Sequence, residues 1–97
     1  MVIYAVEISN NCYSNDDGKK LYVRILKELK DSTSVVISFK GVDSVSSSFV
    51  NASLIPLLDV FSFEEIKKRV YFSETTPQIN EIIKSRFAFE ANQKRES

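Results

Sequence analysis

Apolar positions along this chain change period several times, and the changes divide it into strands and helices. Val2 to Ile8 alternates, with Val2, Tyr4, Val6 and Ile8 on one face and Glu7 on the other, and predicts a first strand near a sheet edge. Ser9 to Asp17 holds three Asn, two Asp and two Ser, a loop composition in which Cys12-Tyr13 is a candidate short strand. The period then becomes helical. Leu21, Ile25 and Leu29 recur every four residues, Tyr22 and Leu26 widen the stripe, and Lys20, Arg24, Lys27 and Glu28 face elsewhere. Asp16 or Asp17 is expected to cap this helix, which runs to about Lys30.

Val35 to Phe39 is a β-branched run suited to a strand covered on both faces. A second helix is predicted from about Ser47, carrying Val50, Leu54, Leu57, Leu58 and Phe61. Pro56 lies within it and predicts a kink, or a break after which Pro56 starts a new first turn. Phe63 to Lys68 reads as a short connection or a helical turn, and Arg69 to Phe72 as the next strand. Thr76-Pro77 is a helix start, since threonine caps and proline fits the first turn. Ile79, Ile82, Ile83 and Phe87 form a third stripe, and Glu90 to Ser97 has no periodicity and is expected to fray.

Strands alternating with helices predict an α/β layer structure, a mostly parallel sheet of three to four strands with helices packed on it. At 97 residues it is one domain, spanning 1–97 with 90–97 as a frayed tail. Hydrophobic residues make up 43% and charged residues 27%, the balance of a globular domain and not of a disordered one. Thirteen basic and thirteen acidic residues cancel, so no global field favours nucleic acid or an anionic membrane.

The absence of histidine changes the chemical picture most. It removes the commonest general base, and with a single cysteine it excludes Cys/His metal sites and His-dependent triads. Asp16, Asp17, Asp31 and Asp59 have no spacing that assembles a carboxylate pair or a magnesium cluster. Gly18-Lys19-Lys20 lacks the earlier glycine and the following Ser/Thr of a phosphate-binding loop. No enzyme, cofactor or metal site is expected. Lone Cys12 and the lack of a signal peptide or long apolar run point to the cytoplasm.

The candidate site lies in VVISFKGVDSVSSSFVNASLIPLLDVF, where the Val35 to Phe39 strand passes through a turn into the apolar helix. Ser46, Ser47 and Ser48 fall at the start of that helix. Cap and turn chemistry alone accounts for serines there, and the functional alternative is a phosphoacceptor or anion site, because a helix start stabilises added negative charge. Gly41 and Asp43 are turn residues. Phe49 is either the first core anchor of the helix or an exposed hot spot.

These residues resemble the STAS domain of bacterial anti-sigma-factor antagonists, and more closely the short STAS-like proteins of uncharacterised function. Val35-Val36-Ile37-Ser38-Phe39 is similar to the strand before the phosphorylation turn. Gly41-Val42 resembles the small-plus-apolar pair that follows, and Val45-Ser46-Ser47-Ser48-Phe49 resembles the turn itself, with Ser48 matching the phosphoacceptor. Ser46 stands where the antagonists carry Asp and Phe49 where they carry Gly; Ser-Phe is the form the STAS-like group shows. Asp16-Asp17-Gly18-Lys19-Lys20-Leu21 resembles that group's acidic-Gly-basic helix start, and the similarity extends roughly from Tyr13 to Phe87.

The resemblance implies a small STAS-like fold and a non-enzymatic regulatory domain. Its partner would be a kinase-like ATPase, an anti-sigma factor or another signalling protein, docking at the serine turn and exchanged by phosphorylation. Compared with a full STAS domain, a final strand and helix are expected to be missing from this sequence. This suggests the alternative of an assembly module without a switch, which homo-oligomerises, as a homodimer for example, through the truncated sheet or an apolar helix face.

Overall fold

Only the first three residues of the opening apolar run form a strand. In the computed structural model, which describes residues 2–8 and 12–96, β1 spans Val2–Tyr4 and leads directly into a one-turn helix, α1, at Ala5–Ile8. The face made by Val2, Tyr4 and Val6 is the exposed one, and Ile3 on the other face is buried. Every residue from Val2 to Val6 is apolar, so alternation there does not say which parity faces the core.

Helix α2 covers Asn15–Asp31, and its N-cap is Ser14 instead of Asp16 or Asp17, which occupy its first turn. Ser14 Oγ accepts from Asp17 N at 3.1 Å and donates to Asp17 Oδ2 at 2.9 Å. Cys12-Tyr13 is not a strand; the segment leads into this cap with Cys12 in the core. Leu21, Ile25 and Leu29 are buried as their spacing predicts. Glu28 is buried too, on the core side of the stripe, where Arg24 Nε donates to its carboxylate at 3.0 Å.

Strand β2 (Val35–Ser38) is followed by α3 (Ser47–Ser53), and the chain then breaks into a 3-10 turn at Ile55–Asp59 with Pro56 in its first turn. Of the two outcomes proline allows, the break and restart is the one realised. Phe63–Arg69 is a full helix, α4, capped by Ser62, whose Oγ accepts from Glu65 N at 3.2 Å. Arg69 ends this helix, and β3 is Val70–Ser73. Helix α5 spans Pro77–Glu96 and stays helical through the segment expected to fray.

All three strands are parallel, in the order β1-β2-β3, with Val2, Val36 and Tyr71 in one row and Ile3, Ile37 and Phe72 in the next. This is the α/β layer predicted from sequence. Crossovers of the usual right hand that advance in one direction place their helices on one side of the sheet. On that side Ile3, Val35, Ile37, Phe39 and Val70 are buried under Leu21, Ile25, Phe49, Leu54, Leu57 and Ile79. Fully burying a side chain such as Phe49 or Ile37 contributes about 1.5–3 kcal/mol.

Two contacts set the spacing of the helical layer. Gly18 lies where α2 crosses α3, and a Cβ there would sit 2.6 Å from Phe49 O and 2.7 Å from Ala52 Cβ. Arg69 reaches from the end of α4 to the end of α2, donating to Leu29 O at 2.8 Å, Thr33 O at 2.9 Å and Ser32 O at 3.3 Å. Its guanidinium also lies 4.9 Å from the centre of the Phe61 ring. Of the consecutive basic residues Lys67, Lys68 and Arg69, the first two are exposed, whereas Arg69 holds a carbonyl in the last turn of α2 and two just beyond it.

Candidate functional site

Parallel strands end at one edge of the sheet, and the segments that follow β1, β2 and β3 meet there. After β2 the chain reverses with Val42 N donating to Phe39 O at 2.9 Å. Gly41 takes φ +82°, the left-handed value a turn of this kind needs at its third residue, and its missing Cβ would meet nothing nearer than 3.8 Å. Backbone conformation, and not crowding, accounts for this glycine.

The loop from Val42 to Ser46 is held from two sides. On the α5 side, the Gln78 amide accepts from Val45 N at 3.1 Å and donates to Val45 O at 3.0 Å. Thr76 Oγ1 donates to Asp43 O at 2.9 Å and accepts from Ile79 N at 3.3 Å, so the residue that caps α5 also fixes the loop. On the other side, Ser46 N donates to Cys12 O at 3.0 Å, Ser46 Oγ donates to Tyr13 O, and the Tyr13 and Ser44 hydroxyls are hydrogen-bonded.

The three serines have separate roles in this geometry. Ser46 is the N-cap of α3: its Oγ accepts from Phe49 N at 3.1 Å while donating to Tyr13 O. Its hydroxyl is committed in both directions, the behaviour expected of a structural cap. Ser47 and Ser48 begin the helix proper and are exposed. Phe49 is completely buried, which removes it as an exposed hot spot and makes it the core anchor of α3. Asp43 is exposed, with its carbonyl held by Thr76.

Chemically, this arrangement presents two accessible hydroxyls on a rigid helix start. Helix α3 carries no charged residue, so a phosphate on either serine would add its first charge. Among the described residues no group of three His, Cys, Asp or Glu side chains could hold a metal ion, and no helix is long and apolar enough to cross a membrane. The sequence reading missed Tyr13, Ser14, Thr76 and Gln78 as the groups that hold the turn. For Ser14 there was a local signal, Ser-x-x-Asp ahead of an apolar stripe. For Tyr13 and Gln78 there was none, because their partners lie more than thirty residues away along the chain.

A three-strand parallel sheet with helices packed on it is consistent with a STAS-like fold. The chain belongs to the family described as the STAS-like domain of unknown function (DUF4325), whose model matches residues 17–80. The match runs from the first turn of α2 through the start of α5 and includes the whole serine turn. No curated protein and no solved structure shows significant similarity to the chain.

Proposed function

We propose that this STAS-like domain is a non-enzymatic regulatory module of the cytoplasm that binds a protein partner through the serine turn and the start of α3. The partner class that fits is a kinase-like ATPase of the anti-sigma type or another signalling protein, and phosphorylation of Ser48 exchanges one complex for another. The observation that carries this reading is the division of labour among the serines. Ser46 is tied into the cap, whereas Ser47 and Ser48 are exposed on a rigid, uncharged helix start. Added charge there is tolerated within the chain, because the helix dipole favours it by about 0.3–1 kcal/mol. Across an interface the same charge is desolvated without a partner, which costs several kcal/mol.

The test begins with a pull-down to obtain the partner, followed by titration calorimetry of wild type and Ser48→Glu alongside thermal melts. Affinity should fall by at least about a hundredfold, the equivalent of roughly 3 kcal/mol, with little change in melting temperature. Unchanged affinity with an unchanged melt would reduce the turn to a helix cap.

A further inference from the structure

We propose that the uncovered face of the sheet is a self-association surface that pairs with the same face of a second copy of this chain. This proposal is independent of the serine turn, which lies at the carboxyl edge of the strands. The face consists of two rows read across the strands: Val2, Val36 and Tyr71, then Tyr4, Ser38 and Ser73, with Ser38 at the centre already buried between its neighbours. None of the six is charged, although 27% of the chain is. Val2, Tyr4 and Tyr71 remain 41–49% exposed. Parallel sheets are almost always covered on both faces, and in this fold every crossover helix lies on the other side.

The arrangement of sizes selects a second copy as the cover. In the first row the bulky residue, Tyr71, is on β3 and the small one, Val2, is on β1; in the second row the bulky residue, Tyr4, is on β1 and the small one, Ser73, is on β3. A two-fold axis running along β2 within the interface lays β1 of one copy over β3 of the other. Tyr71 then meets Val2 and Tyr4 meets Ser73, twice each, so both rows interdigitate large against small, with the strands aligned as in ordinary sheet-on-sheet packing. The zero net charge of the chain places no electrostatic opposition between copies.

The size of the face sets the strength. Three strands about 4.8 Å apart and about 13 Å long give a patch roughly 14 Å wide, which buries on the order of 200 Å² per copy. That is about a quarter of the roughly 800 Å² each partner contributes to a standard stable interface. The dimer is therefore weak and transient.

The test uses the whole chain. Sedimentation equilibrium and a dilution series of amide spectra from about 1 mM downwards should show a monomer–dimer equilibrium, with concentration-dependent shifts gathered on the three strands. Val2→Lys and Tyr71→Glu should each weaken the dimer at least about tenfold, and an equimolar mixture of the two should restore it, because the introduced charges face one another across the two-fold axis. A wild-type chain that stays monomeric to about 1 mM, or shifts that gather on α5, overturns the proposal. So does unchanged dimerisation of both variants, and a mixture no tighter than either variant alone overturns the two-fold pairing. If a variant fails to fold, the wild-type dilution series decides the question without it.

Discussion

The two faces of the sheet are built from similar residues and meet opposite fates. One presents Ile3, Val35, Ile37 and Val70 and is sealed by helices; the other presents Val2, Val36, Tyr4 and Tyr71 and is left half open. Residue type does not separate them, since both are rich in β-branched and aromatic side chains. Topology does. A strand order that follows chain order sends every crossover to one side, and only a reversal of direction would have covered the other. An apolar strand pattern therefore shows that a face is suited to burial, without showing which part of the molecule will bury it.

Paired truncations of adjacent residues in β2 give the sharpest break in this comparison. Ile37→Ala, on the sealed face, should cost about 2–5 kcal/mol in urea unfolding, from lost transfer energy and the cavity left behind. Val36→Ala, one residue away on the open face, should cost about 1 kcal/mol or less, since half-buried positions leave little cavity. Equal losses would mean that the open face is covered in the monomer.

A smaller effect is expected from the helical layer that creates the asymmetry. Gly18→Ala places a methyl group against the backbone of α3 and against Ala52 Cβ, neither of which can rotate away. The two helices must separate, and a stability loss of about 1–3 kcal/mol is expected by the same measurement. A neutral result would show that the layer has slack. At the rim of the layer, Ser46→Ala removes the cap of α3 and the link to Tyr13 O, for about 1 kcal/mol, while Ser48→Ala should stay within about 0.5 kcal/mol. Thermal melts of this pair separate the structural serine from the exposed one. The smallest change belongs to the open face: Val2→Thr should shift stability by no more than about 0.5 kcal/mol.

Much of the sealed half was legible in the sequence. The four-residue spacing of Leu21, Ile25 and Leu29, the β-branched run of β2, and Thr76-Pro77 ahead of α5 each carry a local signal, and each element formed where that signal lay. The errors fell where the signal was long-range or overlooked. Val2 to Ile8 read as one strand because its apolar run hides the change to helix at Ala5. Helix α4 read as a connection or a single helical turn, although Ser62 and Glu65 have the capping spacing of a full helix. At the candidate site, composition placed the serines at the helix start but did not distinguish them. Only the partners contributed by Tyr13 and Phe49 show that Ser46 is occupied and Phe49 inaccessible.

The sequential strand order also bears on how the chain is made. β1 pairs only with β2, and β2 otherwise only with β3, so no strand waits for one made much later before it finds a neighbour. A chain emerging from the ribosome can add strands in the order of synthesis, as domains commonly fold from the amino terminus. Helix α5 emerges after all three strands, and its Ile79, Ile83 and Phe87 complete the core while its Gln78 holds the loop before the serine turn. Until α5 has left the ribosome, the nascent sheet can be in place while the turn that presents Ser47 and Ser48 is still unfastened on one side.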